Sequence, residues 1–177
     1  MRLKFRPALL TDAPAIAAIV NSAYRGDSSR KGWTTEADIL AGQRTDAQAI
    51  AELLNKPESW IVLGENLGDL KLLGSVHLER VHRDTCYFGM FAIEPEIQSQ
   101  GLGKKMIQEA ERFALEELQC RHMEMTVIAL REELIAFYER RGYFRTGETR
   151  PFPYGNERFG IPLRDDITLS VLRKTLG

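Results

Sequence analysis

The sequence predicts an α/β (α+β) chain built on a mixed, mostly antiparallel central sheet. Three observations carry the prediction. Residues 60–64, 70–81 and 85–93 are apolar or alternating runs of strand length, joined by turns at Gly68-Asp69 and His82-Arg83-Asp84. Connections that short make antiparallel neighbours. An amphipathic run follows, with Met106, Ile107, Ala110, Phe113, Ala114 and Leu118 near one helical face. Met123, Met125, Val127 and Ala129 then alternate as another strand, and strand–helix–strand order favours a parallel pair.

The chain has 177 residues, a single-domain length that buries a real core, so one domain over 1–177 is expected. Its apolar fraction of 44% is that of a globular protein rather than a disordered one. A formal charge of −1 gives no electrostatic reason to expect nucleic acid or an anionic membrane. No apolar run approaches the roughly 20 residues that span a bilayer. Met1 to Pro7 alternates and does not read as a signal peptide. Cys86 and Cys120 lack metal spacing, as do His77, His82 and His122, so reduced thiols in the cytoplasm and no metal are expected.

In chain order, Leu3 and Phe5 alternate with charged residues and make Arg2–Arg6 a first strand. Thr11 reads as the N-cap of a helix with Pro14 in its first turn and Ile16, Ala17, Ile19, Val20, Ala23 and Tyr24 on its apolar face. Residues 25–31 are polar and read as a loop. Thr34 or Thr35 caps a short helix to Leu40, ended by Gly42, and Thr45-Asp46 caps another through Ile50, Leu53 and Leu54 until Pro57.

Within the third meander strand, alternation sets Cys86, Phe88, Met90 and Ala92 on one face and Tyr87, Gly89, Phe91 and Ile93 on the other. Gly89 marks a bulge or a close backbone approach. Glu132–Arg141 is a short helix closed by Gly142. Residues 143–149 are extended. Residues 150–162 form a long loop rich in proline, glycine and aromatics, and long loops in compact domains are often functional. Ile167, Leu169 and Val171 alternate as a closing strand.

The turn between Ile93 and Met106 carries the chemistry. Pro95 ends a strand, and Gln98, Gly101 and Gly103 follow at Q-x-x-G-x-G spacing before the amphipathic helix. The first N–H groups of a helix lack intrahelical partners, and the helix dipole adds partial positive charge there. Glycines let a phosphate reach the backbone, and Lys104 and Lys105 add charge. The turn therefore suits a pyrophosphate. A dinucleotide fingerprint would need glycine where Met106 stands, and a P-loop would need Ser or Thr at Lys105.

At these residues the chain resembles the GNAT superfamily of N-acetyltransferases. The family's coenzyme-A loop reads [RQ]-x-x-G-x-[GA], and Gln98-Ser99-Gln100-Gly101-Leu102-Gly103 matches every fixed position. Phe137-Tyr138-Glu139-Arg140-Arg141-Gly142-Tyr143 is similar to its [FL]-Y-x-x-x-G-[FY] segment. The resemblance reaches from Arg2 to Leu172. It implies a sheet with helices on both faces and splayed central strands, the pantetheine arm sitting in the gap.

It also implies transfer of the acetyl group of acetyl-CoA to a primary amine by direct attack through a ternary complex. Gln98 to Lys104 would hold the coenzyme. A backbone N–H among Phe91, Ala92 and Ile93 would meet the thioester carbonyl, and Tyr138 would give a proton to the leaving thiolate. The alternative for Tyr138 is an amphipathic core tyrosine.

Two positions depart from the family pattern. Arg131 replaces an asparagine that usually contacts the pantetheine arm, and it either reaches the coenzyme phosphates or is exposed. Residues 86–93 hold no carboxylate, so Glu79 or His77 on the preceding strand, or a water chain, is left as general base. These departures keep open a non-catalytic acyl-CoA-binding or sensor module of the same fold.

By position in the family, residues 25–45 cover the substrate. The acceptor site should lie between them and the 150–162 loop. Glu36, Tyr154 and Glu157 are candidates to bind a cationic amine, and Trp33, Phe152 and Phe159 to line an apolar wall. Expected partners are a small-molecule or peptide amine and, since family members often pair, a second copy in a homodimer.

Overall fold

A computed structural model describes residues 1–157 and 160–177. Its main sheet has seven strands in the order β1-β3-β4-β5-β6-β9-β7. They are β1 (Leu3–Pro7), β3 (Ser59–Asn66), β4 (Leu72–His82), β5 (Thr85–Ile93), β6 (His122–Ile128), β7 (Phe144–Pro151) and β9 (Thr168–Thr175). Every pairing is antiparallel except β5 with β6. A separate two-stranded ladder joins β2 (Leu40–Ala41) to β8 (Ile161–Pro162), tying the segment after Tyr24 to the late loop.

Helices α1 (Ala13–Tyr24) and α3 (Ala47–Asn55) cover one face of the sheet, and α4 (Leu102–Glu116) and α5 (Glu132–Glu139) the other. Strand alternation divides the two cores. Val62 of β3 packs with Met106, Ile107 and Phe113 of α4, while its neighbours Ile61 and Leu63 pack with Ile16, Val20 and Ile50. Cys86 and Cys120 are free and fully buried in the α4 core.

Alternation fails within β5, and this corrects the face assignment made from sequence. Four residues of β5, Gly89 to Ala92, stand opposite three of β4, His77 to Ser75. The extra residue is Met90, at φ 44°, one position beyond the glycine that marked the bulge. The slip returns Phe91 and Ile93 to the core of Cys86 and Phe88, and sends Met90 and Ala92 to the α1 side. Gly89 is small for another reason: a Cβ there would stand 2.7 Å from the ring of Tyr87.

Three local expectations change. Residues 34–40 form no helix, because Thr35 Oγ1 accepts from the Ala37 N–H and competes with helical pairing. The polar stretch after Tyr24 is not all loop: α2 (Gly26–Ser29) forms there, with the Ser28 and Ser29 hydroxyls donating to backbone carbonyls. Thr11 does not cap α1. Asp12 ends a preceding 3₁₀ turn, accepts from the Leu9 N–H and holds Arg6.

The parallel pairing of β5 and β6 is short. It covers Thr85 with His122, Cys86 with Met123 and Tyr87 with Glu124, and there it stops. Both strands continue, to Ile93 and Ile128, without pairing to each other. The sheet therefore opens between them.

Candidate active site

Two cavities meet at this opening. The first, of about 240 Å³, is bounded by Gln98, Ser99, Gly101, Gly103 and Lys104 at the start of α4. The second, of about 350 Å³, runs between Gly89–Phe91 of β5 and Met125–Ile128 of β6. Tyr24, Phe91, Arg131, Leu134 and Tyr138 line both.

The first cavity is built for an anion. Residues 95–100 make a 3₁₀ turn that hands over to α4 through Gly101 at φ +81°, and no side chain caps that helix. A left-handed residue there is cheap only for glycine. A Cβ on Gly101 would meet nothing within 4 Å, and one on Gly103 would fill the space 3.7 Å from the rings of Phe91 and Phe137. The open amides, the bare backbone and the cations Lys104 and Arg141 fit the diphosphate of coenzyme A. Arg141 had no signal in the sequence; it lies over the Phe137 ring and donates to the Phe137 carbonyl.

Gln98 holds the turn rather than facing outward. Its Nε2 donates to the Ile93 carbonyl at 3.2 Å and its Oε1 accepts from the Trp33 N–H at 3.1 Å. Among the expected coenzyme residues, Phe91, Ile93, Gln98, Ser99, Gly101, Gly103, Lys104 and Arg131 line the first cavity. Ala92 and Leu102 are buried in the cores and Gln100 is exposed, so these three stand outside the lining.

Tyr138 is buried, with edge contacts to Phe88, Phe137 and Tyr143. Among the described residues its hydroxyl has no hydrogen-bond partner. Burial, reinforced by Tyr24, pushes its pKa far above the usual tyrosine range. A phenol held protonated on the wall between two cavities can donate to a group in either.

Arg131 is not exposed. Its guanidinium donates to Glu36 at 3.1 Å and to Thr34 Oγ1 at 2.9 Å, with only 6% of its surface accessible. Thr34 in turn donates to Glu133 of α5. Glu36 is buried and also pairs with Arg25. It lines the second cavity as the shared anion of two arginines, not as a carboxylate open to an amine.

Trp33 is placed otherwise than expected. It stacks near Phe137, centroids 5.2 Å apart, and lines the first cavity, not the second. Tyr154 lines neither cavity; its hydroxyl accepts from the Ile167 N–H and donates to the Arg164 carbonyl. Phe152 does line the second cavity. Glu157 is exposed, and Phe159 lies outside the described residues.

Neither base candidate is brought to the site. Glu79 pairs with Lys56 and borders neither cavity. His77 is buried against Ser59 at 2.8 Å, and desolvation pulls it down to about 4. Residues that sequence reasoning missed are Tyr24, Arg44, Tyr87 and Thr126. Tyr24 read only as part of an apolar helix face. Tyr87 and Thr126 join hydroxyls at 3.1 Å across the opening. Among the described residues, no group of three His, Cys, Asp or Glu could hold a metal ion, and no helix is long and apolar enough to cross a membrane.

The sequence profile of the acetyltransferase (GNAT) family matches residues 15–143. No curated protein matches significantly by sequence. Among solved structures, a presumptive phosphinothricin N-acetyltransferase is similar over 99% of both chains, at 17% identity and a TM-score of 0.72. A chimera of the Vibrio cholerae spermidine N-acetyltransferase SpeG and hSSAT is similar over 99% of this chain and 96% of that one, at 16% identity and 0.71. The ribosomal-protein-S18-alanine N-acetyltransferase of Escherichia coli is similar over 99% and 95%, at 15% identity and 0.70. Identities this low speak for a shared fold.

Proposed function

The chain belongs to the acetyltransferase (GNAT) family, and from that premise we propose that it transfers the acetyl group of acetyl-CoA to a primary amine by direct attack in a ternary complex. One observation supports this above others: Tyr138 stands on the wall shared by an anion-binding cavity and a second cavity in the opened sheet.

Bound acetyl-CoA supplies the acetyl group and a thiol leaving group. The first-turn amides of α4, with Lys104 and Arg141, hold the diphosphate. The unpaired part of β5 faces the reacting carbonyl, and a backbone N–H among Phe91, Ala92 and Ile93 stabilises charge on its oxygen; one such donor contributes about 3 kcal/mol. Tyr138 holds the proton that the sulfur takes. Glu36 is engaged by two guanidiniums and Glu79 is remote, so the amine loses its proton to solvent.

The structural neighbours act on a polyamine and on a ribosomal protein's alanine, and an amine acceptor of small-molecule or peptide kind is the corresponding proposal here. A cytoplasmic setting and a homodimer belong to the same reading. The test is release of CoA thiol from acetyl-CoA across a panel of amines, with longer acyl-CoAs alongside. Amine-dependent release is expected. Coenzyme binding without release from any amine would leave a non-catalytic acyl-CoA-binding module instead.

A further inference from the structure

Resting on the acetyltransferase reading, we infer that the acceptor is an amine that also carries an oxyanion, a carboxylate or phosphonate, on a compact apolar body. The second cavity assigns this by its charge. Among the described residues it is lined by Arg25, Arg44 and Arg131 against one carboxylate, Glu36. That carboxylate is already divided between Arg25 and Arg131. Arg44 is half-buried, lies 5.6 Å from the Tyr24 ring centroid, and has no carboxylate partner among the described residues.

The surplus positive charge is felt inside the wall. Burial, then repulsion from Arg44 and Arg131, pulls the Arg25 guanidinium down to about 10. Arg131 Nε is buried without a hydrogen-bond partner. Arg44, without a carboxylate among the described residues, and the orphaned Arg131 Nε, in a partly closed site, are what an oxyanion satisfies, through charge-assisted and often paired hydrogen bonds. A polycation would add like charge to the same wall. Met125, Val127, Phe152 and Leu169 supply the apolar side of the cavity.

The experiment compares L-leucine, its aminophosphonate analogue, 3-methylbutylamine and spermidine as acceptors with acetyl-CoA, with kcat/KM referred to the unprotonated amine. The two anionic amines should exceed 3-methylbutylamine by at least about tenfold, the range of a hydrogen bond to a charged group, and spermidine should be poorest. Arg44→Gln should lower kcat/KM for the anionic amines about ten times more than for 3-methylbutylamine, chiefly through KM, and Arg44→Lys should restore most of it.

Preference for spermidine or 3-methylbutylamine, or an equal effect of Arg44→Gln on all four, would overturn the inference and leave the acetyltransferase reading standing. If no amine releases thiol, that reading fails, and melting of the CoA complex decides the inference. Leucine phosphonate stabilising the wild type but not Arg44→Gln supports it, and equal shifts or none overturn it.

Discussion

Tyr87, in the last pair that joins β5 to β6, meets Thr126 hydroxyl to hydroxyl at 3.1 Å, two residues past its own partner Glu124. They close the lower end of the opening in the sheet. The Tyr87 ring keeps its position because Gly89, two residues on, has no side chain.

Gly89→Ala should therefore disturb the second cavity without touching the first. Its Cβ would stand 2.7 Å from the Tyr87 ring, so the ring must move. We expect KM for the amine to rise about fivefold with coenzyme affinity unchanged, the pattern of lost acceptor binding. Steady-state kinetics beside calorimetric titration with CoA would check this; an equal loss of both affinities would refute it.

Tyr138→Phe should lower kcat by about tenfold or more while coenzyme affinity holds. The pH profile adds a second reading. Burial raises the pKa of Tyr138 above the ordinary value of about 10. An acid is lost only as pH rises through its own pKa, so kcat of the wild type should show no descending limb below about pH 10. A descending limb near pH 8 would assign the proton to another group.

Glu36→Gln should cost stability out of proportion to its size. The change leaves Arg25 and Arg131 buried with no shared anion, and breaking a buried ion pair costs about 3–5 kcal/mol. Adding Arg131→Met should recover part of the loss, because one stranded charge leaves with it. Chemical denaturation of both variants measures the coupling; strictly additive losses would mean the two residues do not communicate.

His77 should make the fold sensitive to mild acid. Its pKa falls from 6.5 to about 4 on folding, mainly by desolvation, with Lys56 and Arg44 adding to it and Glu79 at 3.8 Å opposing. The unfolded chain binds the proton first, so this contribution is complete above about pH 6.5 and is lost as pH falls toward 4. At about 1.4 kcal/mol per unit the loss amounts to about 3 kcal/mol. Stability of His77→Gln should vary less over that interval, and an unchanged slope would clear His77.

The turn proposed to hold the coenzyme was legible as a turn because its residues are neighbours in sequence. Gln98, Gly101 and Gly103 act through one turn, and the helix behind them has a clear apolar face. Most of the second cavity was not legible, because Tyr24, Arg44, Tyr87 and Thr126 come from four separate stretches that only the sheet opening assembles. Glu36 read as a candidate to bind a cationic amine, whereas Arg25 and Arg131 bury it as their shared anion. The bulge was placed one residue early, since Gly89 marks the room a ring needs and Met90 bears the positive φ. Thr35 belongs to a turn of its own, which no hydrophobic period records.

The two sulfhydryls sealed beneath α4 bear on how this protein can be assayed. Both have no accessible surface, and burial pushes Cys86 up to about 12. A chromogenic disulfide reagent added to native protein should therefore register liberated coenzyme alone, and the same reagent turns into a gauge of unfolding once denaturant uncovers Cys86 and Cys120.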